Sequence, residues 1–296
     1  MSFFLNSRSE LRIGWKLSAF VIVLMPVWLA TGFAVTMVFD QTIGLGNPLH
    51  DLALNVLISF IPAITATTFA ARIVEHSPLL AFGVGFHEGW ARTFRSGLVI
   101  AAGLVILLML GSRILGQMQI EWTASQHTVG EAALTLGLLI VAAAFEELIF
   151  RGYPLQILMK GIGPWPAMIA MSCVFGLLHA QNPNSSRLGV FNTIVAGMML
   201  SLAYLKTRSL WFPYGLHLGW NVGTGMIAGL PLSGLGVASL WTTNVSGASW
   251  LLGGQYGPEG GVLGTIVFLF GAIWVWKLPI KEFHYGDRLY KDASTG

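Results

Sequence analysis

Two adjacent acids followed by a base give the first chemical signal: Glu146, Glu147 and Arg151 stand in Phe145-Glu-Glu-Leu-Ile-Phe-Arg, inside an otherwise apolar run. Residues four apart share a helix face, so Glu147 pairs with Arg151, acid N-terminal to base, the favourable order. Glu146 lies about 100° around the helix from Glu147 and is the carboxylate left for chemistry. An interfacial salt-bridge knot would use the same three residues. Further along, Phe175 and His179 share a face, and Gly176 between them leaves room for a neighbouring backbone. Alone, His179 also fits a packed histidine with one hydrogen bond. His217 and Asn221 form a third pair four residues apart, among Gly215, Gly219, Gly223, Gly225 and Gly229. Small residues at that spacing let helices pack closely, and the His-Asn pair alone also reads as interhelical hydrogen bonding.

Together these types suit one reaction. A carboxylate and a histidine can hold and deprotonate water. A second histidine with an asparagine can donate hydrogen bonds to a developing oxyanion. That inventory fits peptide hydrolysis without a covalent intermediate. Glu and His are equally zinc ligands, so Glu146, His179 and His217 are the candidate ligands of a divalent metal such as zinc, and metal-free glutamate catalysis stays open beside it. The His-Glu-x-x-His signature of soluble zinc proteases is absent. Cys173 is the single cysteine, which excludes an internal disulfide, and its six-residue spacing puts it about 120° around a helix from His179, against a thiol–imidazole pair.

The elements that must position these residues are membrane helices. Of 296 residues 54% are hydrophobic and 10% charged, against about 25% charged in soluble chains, and the mean hydropathy is +0.70. Ionisable groups in a bilayer cost about 2.5–3.5 kcal/mol each on insertion scales, so a chain keeps them only with partners or a water-filled cavity. The net charge of +3 comes from scattered residues and implies no nucleic-acid partner. A span needs roughly 20 apolar residues, and eight candidates are present: 17–39, 52–71, 97–116, 136–159, 164–180, 188–205, 209–230 and 261–276. The first is too long for the apolar part of a signal peptide and reads as a retained helix. With the N-terminus inside, 14 of the 16 Lys and Arg residues fall on the inner side, leaving only Arg113 and Arg187 outside, the bias expected of cytoplasmic segments.

The expected fold class is therefore all-α: a polytopic transmembrane helix bundle of about eight helices with both termini cytoplasmic. Residues 1–296 read as a single membrane domain, with the motifs in 130–230 and a polar cytoplasmic tail at 277–296. The depths of Glu146, His179 and His217 agree if the fourth helix runs on to Lys160, which requires a kink near Gly152 and Pro154. Residues 73–96, with Phe86, His87, Trp90 and Phe94, suit a segment on the inner membrane surface. Residues 231–260 suit an outer loop or a re-entrant lid, and Asn244-Val-Ser is a glycosylation sequon.

Glu146-Glu147-x-x-x-Arg151, Phe175-x-x-x-His179 and His217-x-x-x-Asn221, in this order on successive membrane helices, resemble the CPBP intramembrane protease family, which includes the type II CAAX prenyl endopeptidases and bacteriocin-processing or self-immunity relatives. The resemblance covers residues 130–230 and implies an intramembrane endopeptidase. By it, Glu146 and His179 activate water, His217 and Asn221 form the oxyanion hole, and Glu147, Arg151 and Phe175 support the site. The family is often labelled metalloprotease. It further implies membrane lipid and a peptide or protein substrate, lipidated or not, as partners, and a bacterial cytoplasmic (inner) membrane as the location. A non-catalytic binding or bacteriocin-immunity protein on the same fold, and a transporter or proton pathway using the same Glu and His residues, are the competing classes.

Overall fold

The computed structural model describes residues 3–5, 11–39, 48–115, 118–124, 128–239 and 241–279. The tail expected at 277–296 lies outside the described residues from 280 onward, as do Arg8, Lys281, Arg288 and Lys291.

The described residues form an integral membrane helix bundle. Its helices are α1 Ile13–Phe39, α2 Pro48–Phe69, α3 Trp90–Ile114, α4 Val129–Glu147, α5 Tyr153–Ile162, α6 Pro164–Leu178, α7 Arg187–Thr207, α8 Trp211–Asn221, the four-residue α9 Ser249–Leu252 and α10 Val262–Lys277. Each expected span coincides with a helix or a joined pair. Five continuous stretches are long and apolar enough to cross a membrane: Ile13–Val38, Leu49–Val74, Trp90–Ile114, Val129–Ile162 and Arg187–Thr207. The α6, α8 and α10 helices are shorter. At about 1.5 Å per residue, the 15 residues of α6 rise only about 22 Å. Irregular backbone continues each short helix, which a bilayer tolerates where that backbone is buried in protein or lines a cavity.

Two strands join the helices. Met118–Ala124 (β1) pairs antiparallel with Trp241–Val245 (β2), with Met118 opposite Val245, Ala124 opposite Trp241 and an irregularity between Gln119 and Thr123. This ladder ties the connection after α3 to the 231–260 region.

The fourth span behaves as the depth argument required: its backbone leaves helical geometry at Gly152 (ψ −117°), just before Pro154. A capping box starts α4: the Thr128 hydroxyl accepts from the Glu131 amide, and Glu131 accepts from the Thr128 amide at 2.7 Å. The helix then loosens into a π turn at Leu148–Gly152 and re-forms as α5, with Pro154 in its first turn. Proline is harmless there because first-turn amides have no intrahelical acceptor. A second π turn, Val222–Ile227, follows α8 directly. Such turns widen a helix locally and gather at functional sites. Here the first holds Arg151 of its motif and the second begins immediately after Asn221.

Packing follows the small residues. A side chain at Gly215 would collide with the Phe94 carbonyl, and one at Gly219 with Ala101, so α8 lies against α3. The matched positions rise together, Phe94 with Gly215, Ala101 with Gly219 and Val105 with Gly223, so the two helices run parallel. Gly176 lets α6 meet the α7 backbone at Val190 and Ile194, while Gly197 meets Ser172, an antiparallel pair.

At one end of the bundle Phe86, Trp90 and Trp211 form a ring cluster with centroids 4.7–4.9 Å apart. The Trp211 indole donates to the Gly85 carbonyl at 3.0 Å. The segment expected on the membrane surface thus supplies this cluster, but Trp90 and Phe94 already belong to α3. The same end holds the Lys16–Glu75 ion pair at 2.8 Å and Lys206, which donates to the Trp276 carbonyl at 3.1 Å.

Candidate active site

The motif residues meet around a cavity of about 690 Å³ whose walls come from α1, α2, α4, α6, α7, α8 and the 231–260 region. Glu146, Phe175, His179, His217 and Asn221 all line it. Glu147 and Arg151 stand behind the wall, each with a side chain only 1% exposed.

Glu147 is the centre of the polar network. Its Oε1 accepts from Arg151 Nη1 at 3.1 Å and from His217 Nδ1 at 2.8 Å. Arg151 also donates to the Gly197 carbonyl at 3.2 Å and toward Ser201 Oγ at 3.5 Å. Its guanidinium lies 4.5 Å from the Phe175 ring centre, where the ring's negative face attracts a cation. A buried charge survives when paired and hydrogen-bonded, and Arg151 satisfies both conditions. The pairing of Glu147 with Arg151 is thus present, and Glu147 additionally orients His217.

Phe175 packs both histidines. Its ring centre is 4.5 Å from that of His179 and 6.3 Å from that of His217. His179 caps the end of α6 and opens a short 3-10 turn, so it sits at a helix end rather than within a helix. Its Nδ1 lies 2.7 Å from the Phe175 carbonyl oxygen. A carbonyl only accepts, so Nδ1 carries the proton and a neutral ring presents a bare Nε2.

Glu146 points elsewhere, as the helix geometry requires. Its Oε2 has no hydrogen-bond partner, and His217 Nε2 is 3.8 Å away, beyond hydrogen-bond range. Asn221, on the cavity wall one turn beyond His217, makes no side-chain hydrogen bond among the described residues.

A resident zinc ion needs three or four protein ligands converging on one point. Among the described residues no three His, Cys, Asp or Glu side chains do so. The trio Glu146, His179 and His217 expected as ligands is not a metal cluster here. Nδ1 of His217 donates to Glu147 and that of His179 to a carbonyl, the outer hydrogen bonds that metal-ligating histidines also make.

Residues 128–223 match the family model described as Rce1-like, type II CAAX prenyl endopeptidase. This segment is similar to the Rce1-like domain. At family level it implies a membrane CAAX-type endopeptidase acting on a peptide or protein. Comparison with curated proteins returns no match. The matched segment contains every motif residue from Glu146 to Asn221.

One acid of the cavity wall lies outside that domain. Glu259 is buried, its Oε1 accepts from Trp220 Nε1 at 2.8 Å, and its Oε2 is bonded to Ser233 Oγ. Sequence reasoning passed over it, because an acid in Pro258-Glu-Gly-Gly reads as a solvated turn. The only available signal was its place three residues before a wholly apolar helix.

Proposed function

We propose that this chain is an intramembrane endopeptidase that hydrolyses a peptide bond of a membrane-associated or prenylated substrate with water activated by Glu146 and His179. The observation that carries the reading is the unpartnered Glu146 Oε2 on the cavity wall, 3.8 Å from His217. A buried carboxylate oxygen without a donor is costly, and a reacting water is the partner that relieves the cost.

In this mechanism Glu146 removes one proton from water, while the bare Nε2 of His179 accepts a hydrogen bond from the O–H that remains and fixes its orientation. The resulting hydroxide attacks the scissile carbonyl carbon. The oxyanion accepts from Asn221 Nδ2 and from His217 Nε2. Because Nδ1 of His217 already donates to Glu147, the ring donates through Nε2 as the imidazolium. Glu147 therefore acts through His217, much as a buried acid holds a catalytic histidine in the correct form. Glu146 then returns its proton to the leaving amine. General base catalysis is worth about 10²–10⁴ in rate and one oxyanion donor about 10²–10³.

The excess of Lys and Arg at one end of the bundle supports a cytoplasmic location for both chain ends, and the resemblance to bacterial relatives supports the cytoplasmic membrane of a bacterium. The test compares peptide termini in native membranes carrying wild-type protein, Glu146→Ala or His179→Ala at matched expression. New termini seen only with wild type are expected and would name the substrate. Identical termini in all three would move the assignment to a non-catalytic binding or immunity protein.

A further inference from the structure

We propose that Glu259 is the anionic wall of a specificity subsite that takes a cationic side chain, Lys or Arg, of the bound peptide. The inference rests on the endopeptidase reading and names its substrate class.

Among the described residues that line the cavity, the only Asp, Glu, Lys or Arg side chains are Glu146 and Glu259. Arg151 does not reach it, since its donors are directed at Glu147, Gly197 and Ser201. The cavity wall thus carries two carboxyl groups, with the His217 imidazolium beside Glu146 and no cation paired with Glu259 among the described residues. A low-dielectric wall of one sign concentrates the opposite charge. Beside Glu259 a peptide carboxylate finds repulsion, and an ammonium or guanidinium finds attraction.

Glu259 is built to hold such a group. Its carboxyl is fixed by Trp220 Nε1 and Ser233 Oγ, and its backbone by Asn192, whose Nδ2 donates to the Glu259 and Gly261 carbonyls, each at 2.8 Å. A carboxylate has about four acceptor positions; two are used, and neither donor is a cation. No ion-pair partner of Glu259 exists among the described residues. Trp220, Leu232, Leu235 and Phe268 line the surrounding wall, so the apolar stem of a Lys or Arg packs there while its head meets the carboxylate. Trp220 follows His217 by three residues, about 4.5 Å of helix rise. An extended peptide advances about 3.3 Å per residue, which puts the cationic residue within a few positions of the bond cut.

Glu259 could instead only tie the 231–260 region to α8, and the test separates the two. The full chain carrying Glu146→Gln, which binds without turnover, is placed in zwitterionic nanodiscs. Apolar decapeptides with both ends capped carry one Lys, norleucine or Glu, scanned along their length, and binding is read by tryptophan fluorescence. At one or two positions the Lys peptide is expected to bind on the order of tenfold more tightly than its norleucine twin, the scale of a charge-assisted hydrogen bond, with the Glu peptide weakest. Glu259→Gln keeps an acceptor for Trp220 and should bring the Lys-to-norleucine ratio to about one. Equal affinities at every position, no measurable binding of any peptide, or a Lys preference that survives Glu259→Gln would each overturn the subsite. Should Glu259→Gln not fold, the Lys-to-norleucine ratio on the Glu259 protein decides. A charge preference without cleavage by the Glu146 protein would refute the hydrolase reading and leave the subsite standing.

Discussion

Replacing Arg151 by Met removes the only Lys or Arg paired with Glu147 among the described residues and nearly preserves side-chain length. The ion pair at 3.1 Å, the bond to the Gly197 carbonyl at 3.2 Å and the stacking on Phe175 at 4.5 Å all disappear. Breaking a buried pair from one side costs about 3–5 kcal/mol, chiefly because the remaining charge is stranded. The lost cation–π contact adds about 1 kcal/mol, and the packing of Met returns a similar amount. Arg151→Met should therefore destabilise by about 3–5 kcal/mol. Glu147→Gln strands Arg151 in turn and should cost about as much. The double variant removes both charges of the Glu147–Arg151 pair, so its cost should fall short of the sum by at least about 2 kcal/mol. Reversible unfolding by sodium dodecyl sulfate in mixed micelles, followed by tryptophan fluorescence, measures all three. Additivity within about 0.5 kcal/mol, the behaviour of independent sites, would refute the claim that these two residues form one buried unit.

The other predictions concern packing and orientation. Phe175→Ala removes the ring that touches Arg151, Phe150 and both histidines; it should cost about 3–5 kcal/mol in the same unfolding assay and lower cleavage even where folding is rescued at low temperature. Gly215→Val drives a side chain into the Phe94 carbonyl and should destabilise by at least about 2 kcal/mol, whereas Gly137→Val, where a Cβ meets nothing within 4 Å, should change little. On a Cys173→Ala background, a cysteine at position 113 should react with an impermeant maleimide from outside intact cells and one at position 208 only after permeabilisation; the reverse pattern would invert the proposed topology.

Much of the arrangement was legible because bilayer chemistry penalises polar residues so strongly. Glu146, Glu147, Arg151, His179, His217 and Asn221 stand out from apolar neighbours, and matched depth brought them together. Small-residue spacing announced the contacts of Gly176, Gly215 and Gly219. Two things were not legible. Periodicity cannot distinguish an α turn from a π turn, so the break at Gly152 was legible but the widening from Leu148 that leads into it was not. Glu259 owes its position to Asn192, Trp220 and Ser233, three residues far away in sequence whose convergence depends on how 231–260 folds back over the cavity. The span expected at 209–230 likewise does not reveal that α8 gives way to a π turn at Val222.

The central claim is that Glu146 activates the attacking water. Purified protein in liposomes, supplied with a substrate peptide identified from native membranes, tests it through the single-turnover rate of wild type against Glu146→Gln, with matched unfolding midpoints. The account predicts a loss of at least about 10²–10⁴ for removal of a general base. A Glu146→Gln rate equal to wild type would contradict it.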